Sequence, residues 1–230
     1  MARRPRFSIP GQPQHVMQRG NNRMAIFLRT EDYARFYRKL ERACRRHDCV
    51  VHAYVFMTNH VHLLMTPATA TGISRVMQSV GTSYAAYFNA SNQRTGGIWE
   101  GRYRAILIDS EAYLLTCYRY IERNPVRAGV AGTVAQHKWS SYGANALGLR
   151  DPLVTPHERY LSLGLDAASR QAAYRGLHGT DLAPATVDQL REAIATGAAL
   201  GSDGFQRRIA EIARRPASPS RRAPRLKTRK

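Results

Sequence analysis

The run CVVHAYVFMTNHVHLLMTP, residues 49 to 67, constrains the fold more than any other stretch. Two β-rich segments, CVVHAYVFM and HVHLLMT, are separated only by Thr58 and Asn59, so the chain must turn and pair them antiparallel. Side chains alternate faces along a strand. His60, His62 and Leu64 therefore point one way, and Val61, Leu63 and Met65 the other. The apolar set suits packing against helices. The histidines share the opposite face, either as a structural pair or with ring nitrogens close enough to hold one metal ion.

Around this hairpin the elements fall into a simple order. QHVMQRG (14–20) reads as a first strand, ended by the turn signal GNNR. Thr30 is the expected cap of a helix with Glu31 and Asp32 in its first turn. Tyr33, Phe36, Tyr37, Leu40 and Cys44 form its apolar stripe, and Arg35, Arg38, Lys39, Arg42 and Arg45 face outward. A second helix is predicted over about 72–90, with Ile73, Val76, Met77, Val80, Tyr84 and Phe88 on its apolar side. GRYRAILID reads as a fourth strand. Ser110 is the expected cap of EAYLLTCYRYIERN, which Pro125 should end. Strand, helix, strand, strand, helix, strand, helix predicts a ferredoxin-like α+β sandwich with a central antiparallel sheet, over residues 1–145. Residues 146–215 read as a small helical C-terminal extension, with AASRQAAYRGL, TVDQLREAIATG and GFQRRIAEIARR as short helices. The basic tail 216–230 lacks any acid and is expected to be disordered and available to phosphates.

Charge narrows the partners. Lys and Arg number 35 against 16 Asp and Glu, giving +19, an excess that suits a polyanion, nucleic acid first and an acidic membrane surface second; because it recurs along the whole chain, nucleic acid is favoured. No stretch approaches the ~20 apolar residues of a membrane span, and MARRPRFSIPG has no apolar signal core, so a soluble cytoplasmic protein is expected. Cys44, Cys49 and Cys117 make no disulfide framework. A zinc site of Cys44 and Cys49 with His60 and His62 matches no standard spacing, and the cysteines read as packing residues. No phosphate-binding glycine loop occurs, so no nucleotide cofactor is expected. His15, His47 and His52 lack partners in sequence and read as structural or surface residues.

A second polar constellation lies in CYRYIERNPVRAGV. At 100° per residue Tyr113, Thr116, Tyr120 and Asn124 form one stripe, with Leu114, Tyr118 and Ile121 toward the opposite side. Tyr118 reads as core. Tyr120 and Asn124 are either surface residues near a helix end or a polar pair laid across the histidine face.

Taken together, RGNNR, MTNHVHLLMTP, GRYRA, RYIERNPVRAGV and WSSY resemble, in order and spacing from about residue 5 to 145, the REP-associated tyrosine transposases. These are a branch of the IS200-like, single-tyrosine HUH transposases, named for a histidine–hydrophobic–histidine motif. The resemblance implies that His60 and His62 are metal ligands, that Asn124 is a third ligand, and that Tyr120 attacks DNA. It implies Mg²⁺ or Mn²⁺ as cofactor and a single-stranded DNA partner carrying repeated extragenic palindromes folded into hairpins. It further implies cleavage and rejoining beside the hairpin through a 5′-phosphotyrosine, a nucleoid-associated location, and a monomer where insertion-sequence relatives form dimers. Two neutral imidazoles and an amide suit this chemistry, because they leave the ion's charge available to a phosphodiester.

A hairpin with a single-stranded flank needs phosphate contacts and stacking. Arg3, Arg4, Arg6, Arg19, Asn21, Arg23, Arg102, Arg104 and Arg127 are the candidates. The competing reading is a hairpin-binding protein without turnover, for DNA or RNA, since four-stranded α+β sheets also serve as RNA platforms. A zinc-stabilised regulator using Cys44 and Cys49 is a third.

Overall fold

The computed structural model describes residues 7–214; Arg3, Arg4, Arg6 and the basic tail lie outside the described residues. Four strands, β1 (Gln14–Arg19), β2 (Cys49–Met57), β3 (His60–Pro67) and β4 (Arg104–Leu107), form one antiparallel sheet in the order β2-β3-β1-β4. That order and the intervening helices make the ferredoxin-like α+β sandwich expected from the sequence.

One face of the sheet is apolar. Val16, Val61, Leu63, Met65 and Phe56 meet α1 (Thr30–Arg46) and α2 (Gly72–Ser91) in a core rich in aromatic rings. The predicted stripe Ile73, Val76, Met77, Val80, Tyr84 and Phe88 is buried there. Thr30 is the first helical residue of α1 rather than its cap: Asp32 reaches back to accept from the amides of Leu28 and Arg29, at 2.8 and 3.0 Å. An acid at the third helical position thus serves backbone amides that precede the helix, whereas a cap hydroxyl serves amides inside its first turn. Cys44 and Cys49 belong to this layer, across the sheet from the histidine face, and burial pushes the Cys49 thiol up to about 11. They are not positioned to join the histidines in a zinc site.

The opposite face carries α3 (Leu114–Glu122), the single turn α4 (Asn124–Arg127), α5 (Tyr142–Leu147), α6 (Glu158–Leu161), α7 (Ala167–Leu177) and α8 (Pro184–Thr196), and α9 (Asp203–Arg214) follows them in the chain. α3 starts later than Ser110, after a turn in which Asp109 accepts from the Glu111 amide at 3.1 Å. Pro125 interrupts the helix without stopping it. Its missing N–H falls in the first turn of α4, where no intrahelical donor is needed. β4 is shorter than GRYRAILID suggested, because residues 101–103 turn rather than pair.

Both sheet edges are covered, which removes exposed strand edges. Beside β2, the Phe56 amide donates to the Trp139 carbonyl at 2.9 Å, and Ser140 bridges Val55, so the WSSY motif is edge cover. Beside β4, Leu200 donates to Leu107 at 2.9 Å and accepts from the Asp109 amide at 2.8 Å. Among the described residues, no helix is long and apolar enough to cross a membrane.

Candidate active site

Strand register builds the floor of the site. Met17 sits opposite His62 and Arg19 opposite His60 on β3, while Met17 also pairs with Arg104 on β4. With period-two alternation, His15, Met17, Arg19, His60, His62 and Arg104 share one face. His15 is diagonal to His62, within reach across adjacent strands. The RGNNR turn that ends β1 needs a glycine: a Cβ on Gly20 would collide with the Met24 carbonyl.

The two histidines differ in their supports. His60 Nδ1 lies 2.6 Å from Asn59 Oδ1, and the Asn59 amide nitrogen donates to the Arg23 carbonyl at 2.9 Å. The Asn59 oxygen can only accept, so His60 carries its proton on Nδ1 and keeps an Nε2 lone pair for a ligand. His62 Nδ1 lies 2.8 Å from His15 Nε2, with the two rings stacked at 4.9 Å. For His62 to offer its own Nε2 lone pair, Nδ1 must donate to His15, which moves the His15 proton to Nδ1. That buried nitrogen has no partner. The His60 and His62 ring centres are 5.0 Å apart at 85°. Burial holds His60 down at about 4 and His15 at about 3, and pushes His62 well below the ordinary value, so all three are neutral at pH 7.

α3 crosses this face and brings Tyr120 to the histidines of the same chain. The Tyr120 ring stands edge-on to His62 at 5.9 Å and to His15 at 5.8 Å. Its exposure is only 5%. The Arg127 guanidinium lies over the ring at 4.3 Å and donates through Nη2 to the Tyr120 carbonyl at 2.5 Å, while its buried Nη1 has no partner. Burial raises the Tyr120 phenol above its ordinary pKa, against the pull of Arg127 and Arg191. Burial also lowers Arg127 to about 10, which leaves it charged at neutral pH. The Asn124 amide nitrogen donates to the carbonyls of Tyr120 and Ile121, at 2.9 and 3.2 Å, leaving Oδ1 as the end for a ligand.

These groups line a cleft of about 460 Å³ with Met17, Arg19, Arg104, Ala128, Arg191 and Ile194; no acidic residue lines it. A neighbouring hollow shares Met17, Arg19 and Arg104 and adds Arg102 and Glu100. The structure thus gathers His60, His62, Tyr120, Asn124, Arg19, Arg104 and Arg127, with Arg102 beside them. Asn21 and Arg23 are exposed on a 3-10 turn and line neither hollow. Among the described residues, no three His, Cys, Asp or Glu side chains form a metal-binding group. A cation here would rest on the two imidazoles and the Asn124 amide, with substrate oxygens completing its shell. Two imidazole nitrogens and one amide oxygen make a mixed donor set that would suit Mn²⁺ better than Mg²⁺.

Three participants were not foreseen. His15 was read as partnerless, although alternation along QHVMQR puts it on the Arg19 face; only the β1–β3 register reveals His62 beside it. Arg191 comes from the extension, and no local pattern ties it to the site. Glu122, fully buried at the end of α3, accepts from Ser141 Oγ at 2.5 Å, Asn145 Nδ2 at 3.0 Å and the Tyr174 hydroxyl at 2.7 Å.

A sheet-borne histidine pair thus faces a helix-borne tyrosine in a basic cleft. Residues 11–124 match the model for IS200-like transposases, and this part of the chain belongs to that family. Its fold is similar to that of a REP-associated tyrosine transposase solved bound to a REP hairpin, at 18% identity and a TM-score of 0.52, covering 68% of this chain and 93% of that one. A candidate transposase from Deinococcus radiodurans R1 also matches at 18% identity, covering 53% of this chain and 97% of that one, with a TM-score of 0.36. No curated protein matches the chain.

Proposed function

We propose that the protein is a metal-dependent, single-stranded DNA transposase of the REP-associated branch, cleaving and rejoining DNA beside palindromic hairpins through Tyr120. The observation that carries this reading is the Tyr120 ring 5.9 Å from His62, in a cleft lined by arginines and no acid. The order of the five motifs and the likeness in fold to a REP-hairpin-bound transposase support the branch and the hairpin partner.

In this reading the Tyr120 oxygen attacks the scissile phosphorus. The P–O3′ bond breaks, a 5′-phosphotyrosine forms, and the departing 3′ oxygen takes a proton to become a free hydroxyl. Ester replaces ester, so the reverse attack by a 3′ hydroxyl reseals DNA without a nucleotide cofactor. Arg127 holds the α3 segment through the Tyr120 carbonyl, and its unpartnered Nη1 is available to a phosphate oxygen. Arg19 and Arg104 flank the strand's path. His60, His62 and Asn124 would hold a Mg²⁺ or Mn²⁺ ion, which when bound would supply Lewis-acid polarisation of the phosphodiester and charge stabilisation at the leaving oxygen. Because burial raises the phenol pKa, its proton must be lost at the moment of attack, beside cationic groups that favour the phenolate.

The test is incubation of a labelled hairpin carrying a single-stranded flank with the protein and Mn²⁺, resolved on denaturing gels. A protein-bound fragment is expected, absent in Tyr120→Phe, which should still bind the hairpin. Tight binding with no adduct in the wild type would favour the non-catalytic binder instead.

A further inference from the structure

We propose that Arg191, on α8 of the C-terminal extension, is a phosphate-binding residue of the cleavage cleft. The extension then supplies part of the DNA-contacting surface. The inference rests on the single-stranded DNA reading above and deepens it.

Arg191 and Ile194 line the cleft together with Tyr120, Asn124 and Arg127. They lie one turn apart on α8, so the face that buries Leu190 and Ile194 against the α3 layer also presents Arg191 at its margin. The helix is anchored at both ends. Before it, Arg123 pairs with Asp181 and donates to the His178 carbonyl at 2.8 Å, and Arg119 donates to the Thr180 carbonyl at 2.7 Å. After it, Leu200 is hydrogen-bonded to the backbone beside β4. The guanidinium is therefore carried by a rigid element fixed to the tyrosine helix, which lowers the ordering cost of a contact.

The only ion-pair partner of Arg191 among the described residues is Asp188, three residues back at 3.1 Å, with the two side chains 62% and 71% exposed. Such an exposed pair holds weakly and yields readily to a phosphate. Arg19, Arg104, Arg127 and Arg191 arrive from four different elements at one cleft without a carboxylate in its lining. Like charges gathered this way repel unless an anion sits among them. A strand phosphate fills that role.

The experiment measures binding of a fluorescein-labelled DNA, a hairpin with a 5′ single-stranded flank, by anisotropy in EDTA across a salt series. Loss of one phosphate contact should lower the slope of log K against log salt by about 0.7–0.9 and weaken binding about fivefold at 0.1 M salt. Arg191→Gln is expected to do this and Arg191→Lys to retain the wild-type slope. Arg75→Gln, exposed on α2 beyond the other face of the sheet, should change nothing. An unchanged slope in R191Q, or an R191K variant indistinguishable from R191Q, would overturn the proposal. A merely structural role would lower thermal stability without altering the slope. An unstructured strand run in parallel separates the two claims: equal affinity for both DNAs would sink the hairpin preference, while the R191Q slope still decides Arg191.

Discussion

Acid should unfold this protein well above the range in which carboxylates titrate, because several histidines are buried neutral. Burial holds His15 at about 3 and His52 and His60 at about 4, against 6.5 for an exposed ring, and His62 moves in the same direction. The folded pKa values lie below the unfolded ones, so between pH 6.5 and 4 the unfolded chain binds more protons. Stability is full above pH 6.5 and is lost as pH falls toward the folded values. From pH 7 to pH 5, each such histidine costs about 2 kcal/mol, an order-of-magnitude figure. His15, His52 and His60 together cost about 6 kcal/mol, comparable to the whole stability of many domains. His52 isolates the effect, since it lies apart from the candidate active site, bonded to the Thr155 carbonyl at 2.7 Å and the Thr66 hydroxyl at 2.8 Å. Urea unfolding at pH 7, 6 and 5, without divalent metal, should show the midpoint falling by roughly 2 M or more, given the usual urea dependence. His52→Gln should lose stability at pH 7 yet show a shallower fall, the gap to wild type closing by about 2 kcal/mol at pH 5. A gap constant across that range would refute the assignment of His52 as a buried neutral ring.

Two other substitutions probe the supports of the site. Glu122→Ala strands the Ser141, Asn145 and Tyr174 donors in the interior and should destabilise by about 3–5 kcal/mol in urea, while Glu122→Gln costs less; a loss under 1 kcal/mol in E122A would contradict the network's role. His15→Phe removes the partner of His62 Nδ1 and should slow cleavage about 10–100-fold and raise the Mn²⁺ requirement, with hairpin binding retained. Substantial rescue in His15→Gln, which can still accept a hydrogen bond, is expected; equal activity of wild type and H15F would remove His15 from this role.

The fold was legible because its signals are local and agree with one another. A two-residue turn between β-rich runs, two amphipathic stripes and a strand–helix alternation leave few ways to arrange a sheet. Helix starts were less so: Asp32 reaches back to the Leu28 and Arg29 amides ahead of α1, and Asp109 holds the Glu111 amide ahead of α3, and such bonds depend on the path of the preceding loop. The histidine face followed from alternation alone, and the helical stripe laid Tyr120 with Asn124. Their meeting across the cleft was not readable from either segment, because it depends on how α3 packs on the sheet. The same limit hid His15 behind strand register and Arg191 behind a contact more than sixty residues from the tyrosine helix. Tyr120 was expected on a polar face, yet it is nearly enclosed, because α8 and Arg127 cover it.

The most direct test is to isolate the covalent complex formed with a cleavable hairpin DNA, digest it, and locate the nucleotide-bearing peptide by mass spectrometry. The account predicts a 5′-phosphate ester on the Tyr120 oxygen and on no other residue. A modified peptide containing Tyr113 or Tyr118 in place of Tyr120, or strand cleavage that proceeds with no covalent intermediate, would contradict it.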